Sequence, residues 1–312
     1  MAKVLVVLGA TGNQGSSVIR HVLQDPELSK TYTIRAVTRD PSSSRARDLT
    51  SQGIEVVSGD PSNKVSLDGV FKGAHTVFAM TTSNYDGEAH KEIQYGKDLV
   101  DAAIAQGVQY YIWSTLPSPN VISNGKYTKV TGFDDKFVVE EYIRSKTSLK
   151  SAFYSPGSFM QNYATIMQPQ PSPTKDGSYV IARPLNPSTK LPLVDIAGDT
   201  GKFVAAILAQ PDRFQGKTFS GATKLYSMEE QAAIISSATG KVVKYIEVSQ
   251  DVYRSSLPPT AQDELLQMML YQQEFGYYGS HTEAEVAWSV ENARGNPTSF
   301  EEYLSKHPLT LE

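Results

Sequence analysis

Three glycines punctuate the run Gly9-Ala10-Thr11-Gly12-Asn13-Gln14-Gly15, which follows an apolar stretch, Val4 to Leu8, and precedes a helical pattern. That placement has a chemical meaning. Glycines let the backbone turn tightly and approach a pyrophosphate, while the free amides and positive dipole end of the next helix bind the anion. The spacing is G-x-x-G-x-x-G, not the G-x-G-x-x-G of typical dehydrogenases, and the bland alternative is an ordinary strand-to-helix turn. We assign Gly9, Thr11, Gly12, Asn13, Gln14 and Gly15 to cofactor binding.

The end of the second strand should decide which nucleotide is held. A site for NAD usually carries Asp or Glu there to accept the ribose 2′-hydroxyl, and that charge would repel a 2′-phosphate. Here the residues are Thr38-Arg39, and a guanidinium can pair with phosphate through two parallel hydrogen bonds. Ser42, Ser43, Ser44 and Arg45 follow and can add donors, while Asp40 is the contrary residue, assigned to turn or helix-start chemistry. NADP(H) is favoured over NAD. Asp60, in Ser58-Gly59-Asp60, meets the adenine edge or simply makes a turn; both readings stand.

A third group belongs to the hydride-transferring end. Thr81-Thr82-Ser83-Asn84 closes the fourth strand, Ser114-Thr115 closes the fifth, and Lys136 sits in the helix after it. Thr81 and Thr82 would face the cofactor, and Asn84 the substrate. Lys136 can hydrogen-bond the nicotinamide ribose and keep positive potential near a developing oxyanion. Its alternative is a solvated helix lysine paired with a carboxylate such as Glu140, at i+4.

The elements that must position these groups alternate along the first half. Strands are expected at 3–9, 32–38, 54–58, 75–81, 110–115 and 151–154, and helices at 14–23, 44–52, 65–71, 88–106 and 133–145. Six such units in series predict an α/β fold, a Rossmann doubly wound parallel sheet covered by helices on both faces. After Pro156 prolines become dense, with short strands near 179–183 and 242–248. Helices are expected at 195–209, 228–239, 260–274, 283–292 and 299–306. Residues 1–156 thus form the NADP-binding domain, and 157–312 a smaller α/β C-terminal lobe, some of whose segments return to the sheet.

Composition narrows the class. The 312 residues contain no cysteine, which removes thiolate chemistry, disulfides and cysteine-based metal sites. A net charge of −4 argues against nucleic acid as a direct partner. No apolar run approaches the ~20 residues of a membrane helix, and Met1-Ala2-Lys3 leads straight into a strand, so a cytoplasmic protein is expected. The five histidines show no metal-site spacing, and no metal is assigned.

Together, the glycine run, Val37-Thr38-Arg39-Asp40-Pro41, the stretch Gly53 to Asp60, and Phe133-Asp134-Asp135-Lys136 with Glu140-Glu141-Tyr142 resemble the NmrA-like family of atypical short-chain dehydrogenase/reductases. Pro156 to Asn162 and Glu274 to Gly279 extend the likeness across nearly the whole chain. The resemblance implies an NADP(H)-binding domain with a cleft under a smaller lobe, and adds Phe159 to the cofactor-binding set. It also implies that Lys136 is the residue most often assigned to catalysis, with Ser114 in the usual serine position. The tyrosine that broader short-chain dehydrogenases carry four residues before the lysine is Gly132 here, and Tyr127 has the wrong helical spacing to replace it.

Two functions follow. One is an NADPH-dependent reductase that passes hydride to a small organic acceptor, an imine, enone or quinone, with a place in secondary metabolism. Phe275, Tyr277 and Tyr278 would then cover the substrate, the tyrosine pair lying on a loop between Gly276 and Gly279. The other is an NADP(H)-sensing regulator that binds partner proteins and needs no acceptor site. A nucleotide-sugar epimerase-like enzyme is disfavoured by the missing tyrosine. Either a monomer or a dimer is compatible with the sequence.

Overall fold

In a computed structural model, which describes residues 2–67, 69–82 and 90–311, the strands alternate with helices as the sequence pattern requires. The first half supplies β1 (Lys3–Val7), β2 (Tyr32–Thr38), β3 (Glu55–Ser58), β4 (Thr76–Ala79), β5 (Tyr110–Ser114) and β6 (Lys150–Pro156). Its helices are α1 (Asn13–Gln24), α2 (Leu28–Thr31), α3 (Ser44–Ser51), α4 (Lys91–Ala105), α5 (Pro119–Ile122) and α6 (Thr131–Arg144). Beyond them come the strands β7 (Ser158–Phe159), β8 (Gln170–Pro171), β9 (Tyr179–Arg183), β10 (Lys190–Val194), β11 (Thr218–Gly221), β12 (Lys224–Ser227) and β13 (Val243–Glu247). The helices there are α7 (Ile196–Ala209), α8 (Met228–Thr239), α9 (Gln250–Ser255), α10 (Gln262–Phe275), α11 (Thr282–Asn292) and α12 (Phe300–Lys306).

Seven strands form one sheet in the order β11-β6-β5-β4-β1-β2-β3, parallel throughout. Both faces are covered, and the period of two shows how. Leu5, Val7, Ile34, Phe78, Ile112 and Tyr154 pack with Val18 and Val22 of α1 and Phe203 and Ile207 of α7. Their alternates, Val6, Val37, Val77, Trp113 and Phe153, pack with Leu99 and Ala103 of α4 and Val139 and Ile143 of α6. A strand buried on both sides reads as a continuous apolar run, which is why β1 is conspicuous in the sequence.

Several expectations are corrected. β1 ends at Val7, two residues early, because Gly9 has a φ of +62° and leaves the extended region. The helix expected at 65–71 is a single 3₁₀ turn, Lys64–Leu67. The seventh sheet strand, β11, has only four residues, too short for a periodic signal. β10 was hidden by Pro192, which suggested a loop. Two small sheets, β12-β10-β7 and β13-β9-β8, contribute to a third core cluster that includes Tyr163, Leu193, Tyr226 and Phe300.

Candidate nucleotide and active site

The phosphate loop is shaped by what its glycines lack. Gly9 turns the chain at positive φ, and the Gly12 amide donates to its carbonyl at 2.9 Å. A Cβ on Gly15 would lie 2.3 Å from the Gly9 carbonyl oxygen and 2.9 Å from the Ala10 Cα, so no side chain fits between α1 and the loop. Gly12 caps α1 in extended conformation without a side-chain acceptor, and the amides of Asn13, Gln14 and Gly15 meet no acceptor among the described residues. Exposed amides at a helix start, with a cradle that any Cβ would fill, fit a pyrophosphate.

Beside the loop lies a groove of about 280 Å³ lined by Ala10, Thr11, Asn13, Ser16, Arg45, Asp48 and Leu49. Arg45 leans from α3 to donate to the Thr11 carbonyl at 3.0 Å, and the Thr11 and Thr38 hydroxyls lie 3.4 Å apart. Arg39 is exposed and has no hydrogen bond or ion pair among the described residues. Asp40 is occupied otherwise: its Oδ1 accepts the Ser42 hydroxyl at 2.6 Å and the Ser42 amide at 2.8 Å. Those donors hold its carboxyl below the usual value, and the acid serves a turn. Asp60 likewise accepts the Ser62 amide and hydroxyl through Oδ1 at 2.9 and 2.8 Å.

At the carboxyl ends of β4 and β5 the side chains are tied to one another. Lys136 is buried, and its Nζ donates to the Thr81 carbonyl at 2.8 Å and pairs with Glu92 of α4; the Thr81 hydroxyl lies 3.3 Å away and donates to the same carboxylate. In the alternative reading Lys136 was a solvated lysine paired with a carboxylate such as Glu140, but Glu140 pairs instead with Arg144 at 2.7 Å. Residues at i and i+4 are neighbours only if both side chains lean the same way; the β4 end draws Lys136 inward. Its carbonyl oxygen accepts the Trp113 indole N–H at 3.1 Å, so β5 holds the backbone of α6 in place. Ser114 donates to Gln14 Oε1 at 2.7 Å, linking the phosphate-loop helix to β5.

Gly132 leaves its slot without a side chain, and Glu264 of α10 reaches in to accept the Gly132 amide at 2.8 Å. Burial, with Asp135 and Asp134 nearby, raises the Glu264 carboxyl above its usual value. Tyr127 donates to Glu274 at 2.8 Å, and burial followed by that carboxylate pushes its hydroxyl up to about 12.

The Gly276–Gly279 loop forms, but it turns the tyrosine pair inward rather than presenting a lid. Tyr277 and Tyr278 are buried, and their hydroxyls donate to the carbonyls of Pro156 and Ser155 at 3.2 and 2.9 Å. Phe275 is half-buried against Tyr127 and Tyr271. Phe159, in β7, is partly buried against the α1 and α7 side of the core, and Thr82 is exposed. Asn84 lies outside the described residues. Sequence reasoning missed Glu92 and Glu264. Glu92 had a signal: with Gly96, Asp98, Leu99, Val100 and Ala103 it is among the buried residues of α4, where a carboxylate needs a partner.

The family model described as "NmrA-like family" matches residues 1–304. An NmrA-like family domain-containing protein of Dictyostelium discoideum is 30% identical over 318 residues, covering 100% of both chains. The NmrA-like family domain-containing oxidoreductase FrzB of Cladobotryum sp is 29% identical, covering 94% of this chain and 91% of its own. Among solved structures, NmrA, a negative transcriptional regulator captured in complex with NAD and with NADP, superposes with a TM-score of 0.79 at 25% identity, covering 97% of this chain and 94% of that one. Among the described residues, no helix is long and apolar enough to cross a membrane.

Proposed function

Since the chain belongs to the NmrA-like family, we propose that it is an NADPH-dependent oxidoreductase that reduces a small organic acceptor, an imine, enone or quinone. The observation that carries this reading is the buried ammonium of Lys136 at the carboxyl end of β4, on the same sheet edge as the open amides of the phosphate loop. Ligands of doubly wound sheets bind along that edge. Gly9, Gly12 and Gly15 with the α1 amides hold the pyrophosphate, and Arg39, exposed just after β2, takes the 2′-phosphate.

Bound NADPH supplies the hydride. Lys136 offers positive charge to the oxygen or nitrogen that gains the electron pair, and the missing tyrosine restricts the acceptor. An iminium needs no prior protonation: a C–H bond forms, the π pair moves onto nitrogen, and the charge is neutralised. An enone or quinone gains its proton from solvent or from Lys136. FrzB, named an oxidoreductase, supports this reading.

A second reading, an NADP(H)-sensing regulator, is favoured by one observation: the side-chain donors of Ser114, Lys136, Tyr277 and Tyr278 are all engaged inside the protein. NmrA, titled a negative transcriptional regulator, is consistent with it. Incubating the protein with NADPH and a panel of imines, enones and quinones separates the two. Acceptor-dependent loss of NADPH absorbance, abolished by Lys136→Met, is expected; tight NADP binding with no oxidation by any acceptor would favour the sensor.

A further inference from the structure

The pairing of Lys136 with a carboxylate on another helix is more specific than the presence of the lysine. Nζ has three hydrogens, and three acceptors surround it: the Thr81 carbonyl, the Thr81 hydroxyl and Glu92. The Thr81 hydroxyl donates a hydrogen bond to Glu92, closing a ring of three groups from the segment just after β4, from α4 and from α6. All three residues are buried. A lysine stem has four rotatable bonds, and without such a ring the ammonium would sample many positions.

We propose that Glu92 is the positioning residue for Lys136, fixing its ammonium at the end of β4 where the nicotinamide ribose of bound NADP(H) must pass. The inference rests on the reading above that this lysine serves the nicotinamide half of the cofactor. A purely structural role for the pair is the competing account. The register between α4 and α6 is, however, already set one turn further on, where Gly96 faces Val139 so closely that a Cβ would lie 2.5 Å from its Cγ2. Buried ion pairs are also weak contributors to stability compared with apolar residues of the same shape. What the pair does that packing cannot is aim a charge.

The test divides the cofactor. Calorimetric titration with NADPH reports both halves, whereas 2′,5′-ADP reports only the adenosine end. Glu92→Gln is expected to weaken NADPH binding by about tenfold, the loss typical of a charge-assisted hydrogen bond, while 2′,5′-ADP binds as to the wild type. Lys136→Met should show the same selective loss, and the Glu92→Gln, Lys136→Met double variant should be no weaker than Lys136→Met, because Glu92 acts through the lysine. Should Glu92→Gln fail to fold with its ammonium unpaired, Thr81→Val, which keeps both charges and the carbonyl, carries the same selective prediction at smaller amplitude. Unchanged NADPH affinity, equal loss for both ligands, or additive loss in the double variant overturns the proposal. A wild-type protein that takes up neither ligand removes the cofactor reading itself.

Discussion

The two ends of the sheet edge solve binding in opposite ways. At the adenosine end the groups that would meet a ligand are left open: the α1 amides have no acceptor, and Arg39 has no partner among the described residues. At the proposed nicotinamide end the buried donors Ser114, Lys136, Tyr277 and Tyr278 are engaged internally, Ser114 with Gln14, Lys136 with Thr81 and Glu92, and the two tyrosines with the carbonyls of β6. An anion can be recognised by backbone alone, since amides cost nothing to aim once the glycines set the turn. Placing a reactive charge requires side chains, and buried side chains need partners.

The sharpest way to break this contrast is to fill the cradle. Gly15→Ala puts a methyl 2.3 Å from the Gly9 carbonyl, a backbone atom that cannot yield without moving the loop. Overpacking of about 2–3 kcal/mol directed at the bound geometry predicts a loss of roughly 100-fold in NADP(H) affinity, read by calorimetry. Wild-type affinity in this variant would mean the loop does not touch the phosphates. Arg39→Ala is the next largest effect. Losing a charged pair costs about 1.5–3 kcal/mol, so NADP(H) binding should fall by about 10- to 100-fold while NAD(H) binding is unchanged. Equal losses for both nucleotides would refute the 2′-phosphate assignment.

The two ends also differ in how much the chain reveals. The loop was legible because its signal is local: seven consecutive residues after a doubly buried strand state the turn and the helix start at once, and with them the proposed anion site. Asp40 was legible as a turn residue, since Ser42 two positions on offers the donors such a turn uses. The nicotinamide end is assembled from distant pieces. Glu92 meets Lys136 across 44 residues and Glu264 meets Gly132 across 132, and no spacing rule connects such pairs. The tyrosine pair shows the same limit. Its glycine-flanked loop was foreseen, but the direction of its hydroxyls depends on β6, more than a hundred residues earlier.

A smaller effect probes how the nicotinamide end is braced. Gly96 lets α4 approach α6, and alanine there meets both γ-carbons of Val139, at 2.5 and 2.8 Å. Alanine gains about 1 kcal/mol of helix propensity over glycine. Valine is stiff at χ1 and cannot retreat, so overpacking of about 1–3 kcal/mol wins or draws level. Gly96→Ala should therefore lower the melting temperature by a few degrees at most, yet disturb NADPH binding more than 2′,5′-ADP binding, because it shifts Glu92 against Lys136. An increase in melting temperature with unchanged NADPH affinity would show that the helices have room to spare.

The smallest effect concerns carboxylates, which the two regions push in opposite directions. Asp40, open to solvent, is lowered by the Ser42 donors; Glu264, Asp134 and Asp135 are raised, first of all by burial. A carboxyl whose folded value lies above its unfolded one, about 4.3 for glutamate, favours the native state below that pH and loses this contribution as pH rises through the folded value. Glu264→Gln keeps a carbonyl oxygen for the Gly132 amide but removes the charge. Its melting temperature should match the wild type near pH 4 and exceed it by roughly 1–2 °C at pH 7, a modest gain because the group is only half-buried and solvent screens it. If the variant instead melts lower at pH 7 than at pH 4 relative to wild type, the negative charge at the start of α6 outweighs the burial of Glu264, and the contrast between the two ends would not extend to their carboxylates.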